Sequence, residues 1–228
     1  MKRHLIITID GPAGAGKSTV ARRLADKLGW RYLDSGALYR AGTYAALRHR
    51  ITPHQQNALR RMMANLRFNF QFDRKDKLRV ILNRRDITGK IRNPTLTEQV
   101  FKYARLPLVR KLLIPIQRRM ATGYGLVAEG RDLGSVVFPD AIIKFYLDAS
   151  LAERARRRYR ELSQSGQRMK YRTILAEIKA RDKKDKTRRV APLVKPKNAI
   201  RVNTTRLSVS QVVKKLTNII RQELTGLN

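Results

Sequence analysis

Short apolar runs alternate with helical periodicities along most of this chain. Leu5-Ile6-Ile7-Thr8-Ile9 is a continuous apolar run of the kind that parallel sheets bury on both faces. Residues 19–28 then carry apolar side chains at helical spacing and stop at Gly29, which predicts a helix with a glycine cap. Trp30-Arg31-Tyr32-Leu33, the run from Gly125 through Leu126, Val127 and Ala128, and residues 141–148 predict three further strands. After the last of these, Ser150 reads as the N-cap of a helix over about 151–162. Ser163-Gln164-Ser165-Gly166-Gln167 breaks the pattern, and residues 171–186 resume a helix that begins amphipathic and ends highly charged. A last strand over 199–203 and an amphipathic helix over 209–224 close the chain.

Two stretches depart from this rhythm. Leu66, Phe68, Phe70 and Phe72 alternate with polar residues, Asp73-Arg74-Lys75-Asp76 supplies a turn, and Leu78, Val80 and Leu82 resume the alternation, which predicts a hairpin. A helical stretch is expected over about 97–120. The pattern as a whole predicts a parallel α/β core carrying a small antiparallel insert.

Between the first strand and the first helix lies Gly11-Pro12-Ala13-Gly14-Ala15-Gly16-Lys17-Ser18, which fits Gly-x4-Gly-Lys-Ser in the strand–loop–helix context that motif requires. Its glycines let successive backbone N–H groups close around phosphate oxygens. Lys17 reaches the β- and γ-phosphates, the Ser18 hydroxyl can ligate Mg²⁺, and the helix N-terminus faces the same anion.

The 228 residues, 42% of them hydrophobic, suffice for a sizeable core. The absence of cysteine excludes disulfides and thiolate metal sites, and His4, His49 and His54 lack zinc-site spacing. No apolar stretch reaches membrane-spanning length and the N-terminus runs directly into a strand, so a soluble cytoplasmic protein is expected. The charge is unusual: 51 Lys and Arg against 17 Asp and Glu give +34. From Arg154 to Lys197 there are 17 basic and 4 acidic residues. Such a surface suits either a polyphosphate substrate or a phosphate-rich partner such as RNA, although no aromatic-rich RNA motif accompanies it.

On a chain so poor in carboxylates, Asp10, Asp34, Glu129, Asp132, Asp182 and Asp185 stand out because they fall in short clusters. Asp10, Asp34 and Glu129 lie at or near predicted strand ends, where ligands bind in parallel sheets and a carboxylate can hold a water of the Mg²⁺ shell, a substrate hydroxyl or merely a helix cap. The helix over 151–162 carries Arg154, Arg156, Arg157, Arg158 and Arg160 and, with the helix that follows, suggests a mobile lid bringing arginines to phosphates. Arg181, Asp185 and Arg188 share one helical face, which is compatible either with a ligand site or with an exposed salt-bridge stripe.

Taken together, four pieces resemble the bacterial cytidylate (CMP/dCMP) kinases, P-loop nucleoside monophosphate kinases. They are Ile9 to Ser18; Leu33-Asp34-Ser35-Gly36-Ala37-Leu38-Tyr39-Arg40; Glu129-Gly130-Arg131-Asp132 through Asp140-Ala141; and Arg181-Asp182 through Asp185 and Arg188 to Leu193. The resemblance implies a three-layer P-loop NTPase fold with a parallel central sheet, a small antiparallel NMP-binding insert and a helical lid. It divides one kinase unit into a core (about 1–38, 110–157 and 172–228), an NMP-binding region (about 39–109, with the β insert at 66–91) and a lid (about 158–171).

It also implies Mg²⁺-dependent transfer of the ATP γ-phosphoryl group to CMP or dCMP. Gly11, Pro12, Ala13, Gly14, Ala15, Gly16, Lys17, Ser18 and Thr19 would hold the ATP phosphates, with Arg157 and Arg158 contributing to the ATP site. Ser35, Gly36 and Tyr39 would line the acceptor site. Arg40, Arg131 and Arg188 would grip the acceptor phosphate, Arg181 and Asp185 the ribose, and Arg110 and Asp132 the cytosine edge. Lys17, Arg131, Arg181 and Arg188 are thereby the catalytic set, and the metal falls to Ser18, with Asp34 and Glu129 acting through water. A monomer is expected.

Phe101 stands where the family usually has a serine that helps recognise cytosine, and Asn203 where an acidic residue is common. Alternatives left open are a broader UMP/CMP kinase and a basic RNA-associating protein that keeps a nucleotide-binding fold.

Overall fold

The computed structural model describes residues 5–72, 78–123 and 125–225. They form two compact units, Met1–Tyr32 with Ala121–Asn228, and Leu33–Met120.

The first unit is built on a five-stranded sheet. In chain order its strands are β1 (Ile6–Asp10), β2 (Arg31–Asp34), β6 (Leu126–Gly130), β7 (Ile143–Asp148) and β8 (Ile200–Asn203), arranged spatially as β2-β6-β1-β7-β8. β1 pairs in parallel with β6 and β7, and β7 with β8. Every residue of β1 and β6 is buried, as expected of central strands covered by helices on both faces. Helix α1 (Lys17–Leu28) packs through Val20, Ala21, Leu24 and Ala25 and ends at left-handed Gly29, whose N–H donates to the Ala25 and Asp26 carbonyls. Helices α6 (Leu151–Gln164), α7 (Tyr171–Thr187) and α8 (Val209–Thr225) complete this unit.

Two glycines are required by close approach. Gly11 leaves β1 at φ +149°, where a Cβ would overlap the Leu147 carbonyl of β7. At Gly125 a Cβ would run into the Trp30 indole. Between β6 and β7, Leu133–Val137 forms a π-helical turn that the hydrophobic pattern does not predict.

In the second unit, α2 (Ser35–Arg48), α3 (Gln56–Ala64), α4 (Pro94–Ala104) and α5 (Pro107–Arg119) accompany an antiparallel sheet of β3 (Phe68–Phe72), β4 (Leu78–Leu82) and β5 (Arg85–Asp86). The predicted hairpin is present in β3 and β4, in the register Phe70↔Val80. Its expected turn at Asp73-Arg74-Lys75-Asp76 lies outside the described residues. A third strand follows through Asn83-Arg84, both left-handed as a type I′ turn demands. The core gathers Leu38, Ala46, Leu59, Met63, Tyr103, Val109 and Leu113. The helical stretch expected over 97–120 is present and is divided into two helices, because Pro107 disfavours helical backbone at Leu106, which sits at φ −73°, ψ 124°. Helices α2 and α3 are additions to the predicted elements.

Candidate active site

In the first unit, the loop after β1 wraps toward α1 through Gly14 and left-handed Gly16, the N-cap. Lys17 is 5% exposed and its ammonium donates to the Pro12 carbonyl at 2.8 Å. Burial is the chief force that pushes its pKa down to about 7; the nearby Arg131 charge adds to this, Glu129 opposes it, Arg181 lowers it further and Asp10 raises it. The Ser18 hydroxyl donates to Glu129 Oε1 at 2.7 Å, leaving the hydroxyl lone pairs free for a cation. A serine hydroxyl beside a buried carboxylate fits Mg²⁺, which is held by one or two protein oxygens plus substrate phosphates rather than by an all-protein cage. The described residues contain no cluster of three or more His or acidic side chains suited to enclosing a metal.

Asp10 reaches across to the π-helical turn, where its two oxygens accept N–H bonds from Leu133 (2.9 Å) and Gly134 (2.8 Å). Complete burial nevertheless drives its pKa up to about 6, against the pull of those two donors. Asp10 thereby locks the segment after Arg131-Asp132 onto the end of β1.

Next to this turn, two ion pairs join the end of β6 to α7 and its C-terminus. Arg131 Nε lies 3.0 Å from Asp185 Oδ2, and Arg188 Nη2 lies 3.3 Å from Asp132 Oδ1. Asp182 and Asp185 are buried and Arg188 lies just past the helix end in extended backbone, so the exposed salt-bridge stripe considered for 181–188 is not what forms. Arg181, half-buried on the same helix, acts electrostatically on Lys17.

The arginines of α6 divide by direction. Arg157 turns to the phosphate loop, donating to the Thr204 hydroxyl (3.1 Å) and its carbonyl, while the Thr204 hydroxyl reaches the Ala15 carbonyl at 3.3 Å. Arg158 instead pairs with exposed Glu161 at 2.8 Å. Arg154, which the sequence reading leaves outside the site, is buried and connects three elements. It donates to the Ala149 carbonyl (3.0 Å), to the Ala13 carbonyl of the loop (3.1 Å) and to Asp182 of α7 (2.6 Å). Nothing in its spacing separates it from the neighbouring arginines. Thr204 was equally hidden, since its partners come from the loop after β1 and from α6.

In the second unit, Asp34 caps α2 by accepting from the Ala37 N–H at 2.7 Å, and its other oxygen faces Arg40 at 3.3 Å. A Cβ on Gly36 would sit 3.2 Å from that carboxylate, so glycine keeps the Arg40–Asp34 approach open. Ser35 is buried on the same turn. Arg110 of α5 is 4% exposed, its guanidinium 5.6 Å from the centre of the Tyr39 ring, where cation–π attraction compensates part of its lost hydration.

A phosphate site at Lys17 would have a pH signature. A bound triphosphate would favour the ammonium, so above about pH 7 its binding would draw a proton onto Lys17. The association constant is expected to fall by up to about tenfold per pH unit between about pH 7 and 10. Calorimetry in buffers of different ionisation heat reads this as proton uptake near pH 8, and Lys17→Ala abolishes it.

Comparison with known proteins places the chain in context. A model of the cytidylate kinase family matches residues 7–222. The chain is 43% identical over 220 residues to the cytidylate kinase of Caldanaerobacter subterraneus subsp. tengcongensis, covering 96% of each. It is 45% identical to that of Carboxydothermus hydrogenoformans (94% of this chain, 96% of the other) and 42% identical to that of Klebsiella pneumoniae (96% of each).

Proposed function

The chain belongs to the cytidylate kinase family of phosphotransferases, and from that premise we propose that it transfers the γ-phosphoryl group of ATP to CMP or dCMP, giving ADP and CDP or dCDP. The observation that carries this reading is the arrangement at the head of α1: a buried ammonium at Lys17 beside a Ser18 hydroxyl already hydrogen-bonded to Glu129. Phosphoryl transfer through a loose transition state needs aligned oxygens and neutralised charge more than a protein nucleophile, and none is required here.

Each assigned side chain then has a task. Backbone N–H groups from Gly11 to Thr19, Pro12 excepted, and the Lys17 ammonium hold the ATP phosphates, and Arg157 supports the loop from the Thr204 side. Ser18 would hold Mg²⁺, with Glu129 through water, and the ion would supply charge neutralisation. Asp34 is assigned the same outer role, alongside its capping of α2. Arg131 and Arg188, paired in this structure with Asp185 and Asp132, exchange carboxylate for acceptor phosphate, and Arg181 and Asp185 take the ribose. Within the second unit, Arg40 is assigned a charge for the acceptor phosphate, Ser35, Gly36 and Tyr39 the lining of the acceptor site, and Arg110 the cytosine edge; within the first, Asp132 is likewise assigned to cytosine. The lid (about 158–171) closes with Arg158, and the protein acts as a monomer. Among the described residues no helix is long and apolar enough to cross a membrane.

A coupled ADP-release assay with ATP and Mg²⁺ against CMP, dCMP, UMP, AMP and GMP, with Lys17→Ala as blank, tests the proposal. Turnover with CMP or dCMP is expected; none with any acceptor would overturn it. Selectivity is a separate expectation. Phe101, half-buried on α4, offers no hydroxyl to the base, so discrimination of CMP from UMP should increase in Phe101→Ser by about tenfold, the worth of one hydrogen bond. The ratio of kcat/KM values on the two acceptors measures this, and an unchanged ratio removes Phe101 from base recognition.

A further inference from the structure

The catalytic assignment leaves most of the 51 cations unused, and those on the outer face of the α6–α7 hairpin have a definite arrangement. The two helices bury Ala155, Leu162, Ile174 and Ile178 against each other. On α7, Arg172, Lys179, Lys183 and Lys186 stand at i, i+7, i+11 and i+14, which brings them within about 60° around the axis and along about 21 Å of helix. All four are exposed, and none is ion-paired among the described residues. The carboxylates of α7 lie elsewhere: Asp182 and Asp185 are buried, and Glu177 is about 140° around the helix from Arg172.

Beside the N-terminal end of this stripe, about 100° around α7 from Arg172 on the side toward α6, is an exposed aromatic pair. Tyr159 of α6 and Tyr171 of α7 are 43% and 37% exposed, with ring centroids 6.4 Å apart at 75°. The Tyr171 hydroxyl is anchored on the Ala152 carbonyl at 3.2 Å, and exposed Arg168 and Lys170 precede it.

We propose that these adjoining sides of the hairpin dock single-stranded RNA, phosphates along the stripe and an unpaired base reaching around to the tyrosines. Charge complementarity accounts for the first contact and the π-face for the second. Duplexes keep their bases stacked internally and give the tyrosines nothing to bind. An anionic lipid surface would meet the same charge but find little apolar surface to hold it, since the apolar residues of this hairpin are turned inward. The α7 stripe lies outside the residues assigned to the kinase, whereas Tyr159 and Tyr171 fall within its lid (about 158–171), so the stripe variant, read for both RNA binding and turnover, separates failure of the one from failure of the other.

Fluorescence anisotropy with a labelled single-stranded RNA of about 20 nucleotides tests it. Four phosphate contacts predict log K falling against log salt with a slope of about −3. Combined Arg172→Glu, Lys179→Glu and Lys183→Glu should weaken binding by about tenfold or more, whereas the same charge change on exposed Lys214, Lys215 and Arg221 of α8 should cost about threefold or less. Tyr159→Ala with Tyr171→Ala, which alters no charge, should cost about fivefold or more. Single Lys179→Glu and Tyr159→Ala variants give the same ordering with smaller losses should a multiple variant not fold. Equal losses from the α8 variant, no loss from the tyrosine variant, or equally tight binding of duplex RNA or of phosphatidylserine vesicles would each overturn the proposal.

Discussion

Lys17→Ala should lower kcat by about 10²–10³-fold or more while leaving the protein at least as stable as before. Removing one preorganised donor from developing negative charge costs about 3–4 kcal/mol, and Lys17 brings a full charge when protonated by ligand. The folded protein meanwhile holds this side chain almost wholly out of water, beside the Arg131 and Arg181 charges, at a cost visible in its depressed pKa. Alanine removes that cost, so activity and stability separate. The coupled ADP assay together with a thermal melt decides the matter. A lowered melting point accompanying the lost turnover would make Lys17 a structural residue, and unchanged kcat would remove it from the chemistry.

Arg154→Met should cost about 3–5 kcal/mol of folding stability, because it leaves the Asp182 carboxylate buried without its cation. The Ala13 and Ala149 carbonyls lose a donor in the same step. Asp182 Oδ1 already lacks a partner, so the carboxylate depends heavily on Arg154. Adding Asp182→Leu should recover part of the loss, since an apolar pair of similar volume no longer strands a charge. Urea unfolding of both single variants and the double closes the cycle. A loss below about 1 kcal/mol in Arg154→Met would mean that water replaces the guanidinium. Because Arg154 also holds the carbonyl of Ala13, KM for ATP should rise more than KM for CMP in the same variant.

The unit running from β1 through the phosphate loop to α1 was legible because everything that specifies it is local. The apolar run, the glycines at left-handed positions, the lysine at its spacing and the Gly29 cap all fall within 25 residues, Leu5 to Gly29. The Ser150 cap, the hairpin alternation and the heavily basic α6 were legible for the same reason. The division of 97–120 into two helices was also written locally, at Pro107, but apolar periodicity on both sides of it concealed the break.

What local pattern could not decide was which charge meets which. Asp185 finds Arg131 54 positions away, Asp10 binds N–H groups 123 and 124 positions away, and Thr204 meets the Ala15 carbonyl across 189 positions. Residue type and spacing therefore determined the parallel α/β core, the phosphate loop and the family resemblance. The tertiary structure decided that Asp182 and Asp185 are buried partners rather than an exposed stripe, and that Arg154 rather than Arg158 braces the loop. The physical reason is that 51 cations are nearly equivalent along the chain and become distinct only through burial, where the cost of lost hydration leaves each one only the partners that compensate it.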